Sequence, residues 1–478
     1  MDRSQLIQEV IALVGEENAF TEPAALMAYE CDALSIYKSK PAVVVLPGSA
    51  EEVVALVKLC ARARAPLVAR GAGTGLSGGA LPVEGGVLIV FTRMNRILEV
   101  DLPNRRAVVE PGVVNLHLTQ HVSRWGYYYA PDPSSQMACS IGGNAAENSG
   151  GPHCLKYGVT TNHILGLEVV LPSGEVVWLG GRTEEAPGYD LRGYFIGSEG
   201  TLGIITKVVV RLLPDPEGVK TMLSVFSTIR DACQTVSDII AAGIIPAALE
   251  MIDQPTIQAV ERTLHVGYPE DAAGVLLIEL DGLVSSMGPL EEEIRAICQK
   301  NRATEFRLAR DEDERVRLWM GRKKAFGAYG AIAAGFYCLD GVVPRSKIAD
   351  VLEEFERIGA RHGLRIANVF HAGDGNLHPI ILFDDRIPEE TERAVACGSD
   401  ILKLCVEVGG ALTGEHGVGV EKLPEMPVQF SQETLDVMRS LRAVFDPAGI
   451  MNPGKVIPTP GVCLEIGRAL KVPEGMWH

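Results

Sequence analysis

The chain has 478 residues, of which 47% are hydrophobic and 22% charged, and a formal net charge of −17. That length suggests two to three domains, and the composition is that of an ordinary globular protein, so forming a core is no obstacle. The acidic balance, with no Lys/Arg-rich run, argues against nucleic-acid binding and against a basic membrane anchor, and by itself names no partner.

Ten cysteines are scattered along the chain: Cys31, Cys60, Cys139, Cys154, Cys233, Cys298, Cys338, Cys397, Cys405 and Cys463. None forms a C-x-x-C pair, so free, mostly buried thiols in a reducing cytoplasm fit best, and a cluster bound by this chain alone is not expected. The N-terminus, MDRSQLIQEVIALVGEEN, carries acids from residue 2 and is amphipathic, which reads as a helix and not a signal peptide. No apolar run of about 18 residues occurs, so no spanning helix is expected.

An N-terminal helical segment (1–40) leads into alternating strands and helices up to about residue 215. Ala42–Leu46 is a short apolar run ended by Pro47-Gly48, a buried-strand signature. Ser49-x-x-Glu52 offers a capping box to a helix whose apolar stripe is Val53, Val54, Leu56, Val57, Leu59 and Cys60. Pro66–Ala69 is the next strand, and this β-α-β unit delivers the chain to a glycine-rich turn. From 216 to 410 the pattern changes: strands at Val219–Phe226, near Ala247–Ile252, Gly274–Leu280 and Thr304–Leu308 alternate with helices at Thr228–Ala242, a short one after 252, and Pro289–Asn301. This resembles a ferredoxin-like α+β layer standing as a cap. Three helical stretches and one hairpin follow, and a C-terminal segment (411–478) includes the turn-rich DPAGIMNPGKVIPTP. The expected class is α+β.

Residues 70–80 read RGAGTGLSGGA, with five glycines between Gly71 and Gly79. Gly73-x-Gly75-x-x-Gly78 matches the dinucleotide string, but Gly79, Pro82, Gly85 and Gly86 follow, so no helix can begin there to face a pyrophosphate. A phosphate cradle survives without the helix, because residues lacking Cβ let successive N–H groups converge on an anion. The bland alternative is a mobile surface loop. A second stretch, Pro131–Gly158, packs small residues, glycines and amides in a way that neither propensity nor periodicity explains, but that a flat ring approached by backbone requires. A third, Gly197–Thr206, runs into an alternating strand ending near Leu212.

These three stretches resemble the FAD-binding domain of the vanillyl-alcohol oxidase/p-cresol methylhydroxylase (PCMH) type. From Tyr29-Glu-Cys-Asp32 through Asn452-Pro-Gly-Lys455 the chain is similar to the FAD-containing catalytic subunits of bacterial glycolate oxidases. The resemblance implies a two-part FAD-binding domain over 41–215. Arg70, Gly71, Gly73, Thr74, Gly75, Leu76, Ser77 and Gly78 would hold the pyrophosphate, and Pro131, Ser140, Gly142, Gly143, Asn148, Gly151, Glu199, Ile205 and Asn452 would line the cofactor. Some relatives attach FAD through a histidine in the phosphate loop; Thr74-Gly75 stands there, so non-covalent FAD is expected.

Residues 366–383 read IANVFHAGDGNLHPIILF. Asp374-Gly375 between apolar runs signals a two-residue hairpin turn, which would place His371 opposite His378 with Cβ atoms roughly 5 Å apart, within reach of one ion. Two unrelated histidines near a turn is the alternative. LTGEHGVG (412–419) supplies an acid and a histidine between glycines, and two imidazoles with one carboxylate leave a coordination position open for substrate; an exposed turn is the alternative. The resemblance gives the metal to His371, His378 and Glu415 and the role of catalytic base to His416. Zinc is the default ion, with manganese or iron also compatible with the ligands. Arg322, in RVRLWMGRKKAF, corresponds to the arginine that related 2-hydroxy-acid dehydrogenases set against the substrate carboxylate; a solvated basic helix face is the alternative. Relatives acting on larger diacids carry a lysine where Cys338 stands, which favours glycolate or D-lactate over D-2-hydroxyglutarate.

The reaction this implies is oxidation of a small 2-hydroxy acid. The metal lowers the hydroxyl pKa, His416 takes the proton and a hydride passes to the flavin. Electrons would leave through a second FAD-domain subunit and an iron–sulfur subunit leading towards the membrane, or alternatively through an electron-transfer flavoprotein. Two rival readings are a flavin-free metal hydrolase and a non-catalytic FAD-binding subunit.

Overall fold

The computed structural model describes residues 1–183 and 188–458, so Cys463 and the last part of the C-terminal segment lie outside the described residues. Contacts divide the chain into two units. The first comprises residues 1–149, 159–214 and the chain from Glu415 onward; the second comprises Gly150–Gly158 and Asp215–Gly414.

In the first unit the helix Arg3–Val14 starts where Asp2 Oδ1 accepts from Gln5 N (2.8 Å). Its Leu6, Val10 and Val14 enter one core with Val53, Leu56, Val57 and Cys60 of the helix Ala50–Ala63. That second helix has the expected cap. Ser49 Oγ accepts from Glu52 N (3.3 Å), while Glu52 reaches back to Gly48 N (2.8 Å) and not to the Ser49 N of an ideal box. Strands Val43–Val45, Val87–Val90 and Leu67–Arg70 are parallel neighbours, with Ala19–Phe20 on the outer edge. Val43, Val45, Leu67 and Ile89 fill the same core, which explains the unbroken apolar runs of a sheet covered on its faces. A second sheet is antiparallel and runs Ile97–Asp101, Arg106–Val109, Ile204–Arg211, Ile164–Val170, Val176–Gly180. The helix Ile141–Glu147 lies inside the stretch for which the sequence suggested no element; Ser140 caps it, and Ile141 and Ala145 enter the core beside Val109 and Val113.

The second unit is built on an antiparallel sheet in the order Glu305–Leu308, Gly218–Phe226, Gly274–Gly282, Ala248–Asp253, Arg365–His371, extended by Asn376–Leu377 and Gly341–Val342. Pro379–Phe383 pairs with both Arg365–His371 and Gly335–Cys338. Amphipathic helices cover it; Ile229–Ala241, for example, buries Ala232, Cys233, Val236 and Ile239 at helical spacing.

Three expectations need correction here. The helix expected from Pro289 begins at Val284, with Pro289 inside it; Met287, Ile294 and Cys298 are buried, and that burial offsets one missing backbone hydrogen bond. Among the described residues beyond 310 there are four long helices, not three: Glu312–Lys323, Ile348–His362, Pro388–Glu407 and Gln432–Phe445. The hairpin turn is also longer than the Asp374-Gly375 pair implied. His371 pairs with Asn376 and Asn368 with Pro379, so residues 372–375 form the loop. Both Asp374 N (3.2 Å) and Gly375 N (3.1 Å) donate to His371 O, and Gly375 takes φ +76° to close it.

Candidate active site

The glycine-rich loop leaves the strand Leu67–Arg70 without entering a helix. Gly73 (φ +72°) and Gly78 (φ +77°) occupy the left-handed region that a side chain would strain. A Cβ at Gly71 would strike Ser140 Oγ, so the loop lies close against the start of the helix Ile141–Glu147, and one at Gly142 would lie 2.5 Å from Pro111 Cβ. Ser140 Oγ accepts from Gly143 N (3.2 Å). Ser77 is fully buried, and its Oγ has no hydrogen-bond partner among the described residues. A loop of this shape, with a hydroxyl lacking a protein partner, suits an anionic ligand held by backbone N–H groups.

The third stretch and the C-terminal return meet the same loop. Asn452 is buried at φ +40° and donates through Nδ2 to Gly79 O (2.8 Å) and Glu199 O (2.6 Å), while its Oδ1 accepts from Lys455 Nζ. Lys455 also donates to Leu81 O (2.7 Å). Val420 N and Glu421 N donate to Ser77 O (3.0 and 3.1 Å), which ties residues 417–422 to the loop. Glu199 Oε1 accepts from Val418 N (2.8 Å), and its Oε2 from Gly419 N (2.9 Å). His416 thus stands one residue ahead of a segment pinned within the first unit, its Nε2 4.0 Å from Glu415 Oε1.

Charge is concentrated beneath this loop. A Cβ at Gly79 would lie 2.5 Å from Glu147 Oε1 and 3.0 Å from Glu199 Oε2, so the two carboxyls are neighbours. Burial, and for Glu147 the charge of Glu199, raises both above the ordinary carboxylate range. Burial likewise lifts Asp32 to about 6 and lowers Lys455 to about 7.

In the second unit the register shift of the hairpin is two residues, which keeps every side chain on its face. His378 stands diagonal to His371 instead of opposite it, and the two rings still meet edge-on, centroids 5.1 Å apart at 85°. Leu339 O lies 3.2 Å from His378 Nδ1; a carbonyl only accepts, so that nitrogen carries the proton. Glu250 Oε1 lies 2.8 Å from His371 Nδ1 and fixes the same tautomer there. Both imidazoles therefore offer Nε2 as the lone-pair nitrogen, the state a metal ligand needs. Glu250 Oε2 accepts from Arg322 Nε at 2.5 Å. Both residues are buried, and Arg322 Nη1 has no partner among the described residues. Burial alone would raise the Glu250 pKa; the Arg322 guanidinium and the His371 ring bring it below the ordinary value.

The description "FAD binding domain" matches residues 41–180, and "FAD linked oxidases, C-terminal domain" matches residues 215–456. The chain is 51% identical over 450 residues to the glycolate oxidase subunit GlcD of Escherichia coli (strain K12), covering 94% of this chain and 90% of that one. This chain belongs to the FAD-linked oxidases. The glycolate oxidase subunit GlcD of Bacillus subtilis (strain 168) is 43% identical over 94% of this chain and 96% of its own length. Among solved structures, p-cresol methylhydroxylase with substrate bound superposes with a TM-score of 0.82 at 20% identity, covering 95% of this chain and 96% of the other, which shows the PCMH-type fold.

For this FAD-linked oxidase the structure brings Arg70–Gly78, Ser140, Gly142, Gly143, Glu199 and Asn452 together in the first unit, and His371, His378 and Arg322 in the second. Gly151 clusters with the second unit, and Glu415 is the residue at which the chain passes back to the first. Sequence reading missed Glu250, Glu147 and Lys455. For Glu250 a signal was available: an acid in the middle of the apolar strand ALEMID is a poor core residue unless it is paired. No helix among the described residues is long and apolar enough to cross a membrane.

Proposed function

We propose that this enzyme oxidises a small 2-hydroxy acid, glycolate or D-lactate, to the corresponding 2-oxo acid. The observation that carries the reading is the buried constellation in which Glu250 joins Arg322 to His371 while His378 lies against His371. Arg322 Nη1 is a buried cationic donor suited to a carboxylate, and it stands in the same network as two imidazoles suited to a divalent ion. Glu415 is taken as the third ligand. Gly414, the residue before it, is anchored by Asp340, whose Oδ2 accepts from Gly414 N (3.0 Å), and a Cβ at Gly414 would lie 2.6 Å from Asn376 Cγ on the hairpin. The ion, zinc by preference, would hold the substrate oxygens and make the hydroxyl more acidic. FAD, bound non-covalently in the cradle of the first unit, would take the hydride.

The chain's own residues then have separable tasks. Arg322 fixes the carboxylate end of the acid and so orients the carbon that loses hydrogen. His416 accepts the hydroxyl proton. Cys338 is buried and brings no second cation for a distal carboxylate, which supports a small monocarboxylic substrate. Electrons leave through partner subunits, an FAD-domain protein and an iron–sulfur protein, in keeping with the name of the relatives as subunits of an oxidase.

The test is a panel of glycolate, D-lactate, L-lactate and D-2-hydroxyglutarate with an artificial electron acceptor, before and after chelation and after zinc is restored. Glycolate should bleach the flavin anaerobically, chelation should stop this, and zinc should restore it. Bleaching that survives complete metal removal, or a preference for the diacid, would refute the proposal.

A further inference from the structure

We infer that Glu250 is a positioning residue that sets the metal ligand His371 and the carboxylate-binding Arg322 with one carboxylate. The inference rests on the roles given above to those two residues and adds a third residue that no motif marks.

Glu250 and His371 are direct cross-strand partners of Ala248–Asp253 and Arg365–His371, so their side chains share a face. Arg322 reaches the same carboxylate from the helix Glu312–Lys323. The carboxylate has two oxygens and divides them, Oε1 to His371 Nδ1 at 2.8 Å and Oε2 to Arg322 Nε at 2.5 Å. Glu250 and Arg322 have side-chain exposures of 0% and 1%, so solvent cannot replace either partner. Each contact has a directional consequence. The proton on His371 Nδ1 leaves Nε2 as the ligating nitrogen, and occupation of Arg322 Nε turns Nη1 away from the clamp as the donor left for a substrate. Arg322 Nη2 lies 3.4 Å from His371 Nδ1, so the cation and the imidazole are held side by side. A purely structural pair would need neither the ring nor the open guanidinium nitrogen. Leu or Met would fill the strand position without the cost of burying charge.

Glu250→Gln keeps the size of the side chain but turns one acceptor into a donor, so it cannot serve both His371 and Arg322. In folded, flavin-loaded protein it should weaken zinc binding to the metal-stripped enzyme by about 10–100-fold, the range seen when a partner of a metal-bound histidine is lost. At saturating zinc it should also raise KM for glycolate by about tenfold or more, with a smaller fall in kcat. Zinc affinity is read by chelator competition, without turnover. A residue needed merely for folding would lower the yield and the unfolding midpoint and leave both constants in place; that result, or movement of just one constant, overturns the inference. Should Glu250→Gln not accumulate with flavin, the same constants are read on Glu250→Asp, whose shorter side chain cannot span both partners, and unchanged values there overturn it equally. His371→Ala and Arg322→Lys separate the two levels. If His371→Ala keeps its zinc or Arg322→Lys keeps its KM, the underlying site reading fails; if both behave as expected and Glu250→Gln does not, the positioning role alone fails.

Discussion

Replacing Asn452 should loosen the cofactor cradle without touching any reacting group. Its amide serves Gly79 O at 2.8 Å and Glu199 O at 2.6 Å, and its carbonyl oxygen takes the Lys455 ammonium, so one side chain ties the glycine loop to the third cofactor stretch. Truncation to Ala leaves two backbone carbonyls without this donor, at about 1–2 kcal/mol each. It also asks a Cβ-bearing residue other than Asn to hold φ +40°, at about a further 1 kcal/mol. Asn452→Ala should therefore lose about 3–5 kcal/mol. Asn452→Gly, which keeps the backbone freedom but not the amide, should lose about 1 kcal/mol less. The assay is urea unfolding of the flavin-loaded protein followed by far-UV dichroism and by flavin fluorescence, which rises on release. In both variants flavin should leave at lower urea than in the native protein. Stabilities within about 0.5 kcal/mol of native for both variants, with flavin retained, would refute the account; a Gly variant no better than Ala would refute the backbone part of it.

Arg322→Lys keeps a charge but loses the forked donors that serve Glu250 and a carboxylate at once; KM for glycolate should rise roughly 10–100-fold, about 1.5–3 kcal/mol, in steady-state assays. Lys455 is held at about 7 in the fold against 10.5 when exposed, so between those values the unfolded chain binds the extra proton and stability climbs with pH. Lys455→Met should flatten that climb by up to ~1.4 kcal/mol per pH unit, read as urea midpoints at pH 7, 8 and 9; parallel lines for the two proteins would count against it. Acid precipitation should release all the flavin to the supernatant, since Thr74-Gly75 offers no histidine to link it, and colour retained in the pellet would contradict this.

The helix Ala50–Ala63 and the strands around it were legible because cap, stripe and apolar run agree at the level of a few residues. The absence of a helix after the glycine loop was legible for the same local reason, the glycines and Pro82. What was not legible depended on partners distant in the chain. The helix Ile141–Glu147 has two glycines and no stripe; it is held by Pro111 and Gly71 packing against it. The Asp374-Gly375 signal misjudged the loop by two residues, because Asp374 N and Gly375 N both close on His371 O and a four-residue turn results. Since an even slip preserves the face, the two histidine rings still meet, but His378 lies diagonal to His371 and not opposite it as expected. Glu250 meets Arg322 across 72 positions and His371 across 121, separations to which no local pattern is sensitive.

The division of the chain also orders events during synthesis. The loop at 71–79 is made early, but Val420, Glu421, Asn452 and Lys455, which donate to its carbonyls, are among the last third of the polypeptide to leave the ribosome. The large antiparallel sheet, complete by Phe383, can assemble while the nucleotide cradle still lacks its clasp. If that loop holds the flavin as proposed, firm binding would await the end of translation, and a chain truncated before residue 417 would carry a finished sheet and a glycine loop without its C-terminal donors.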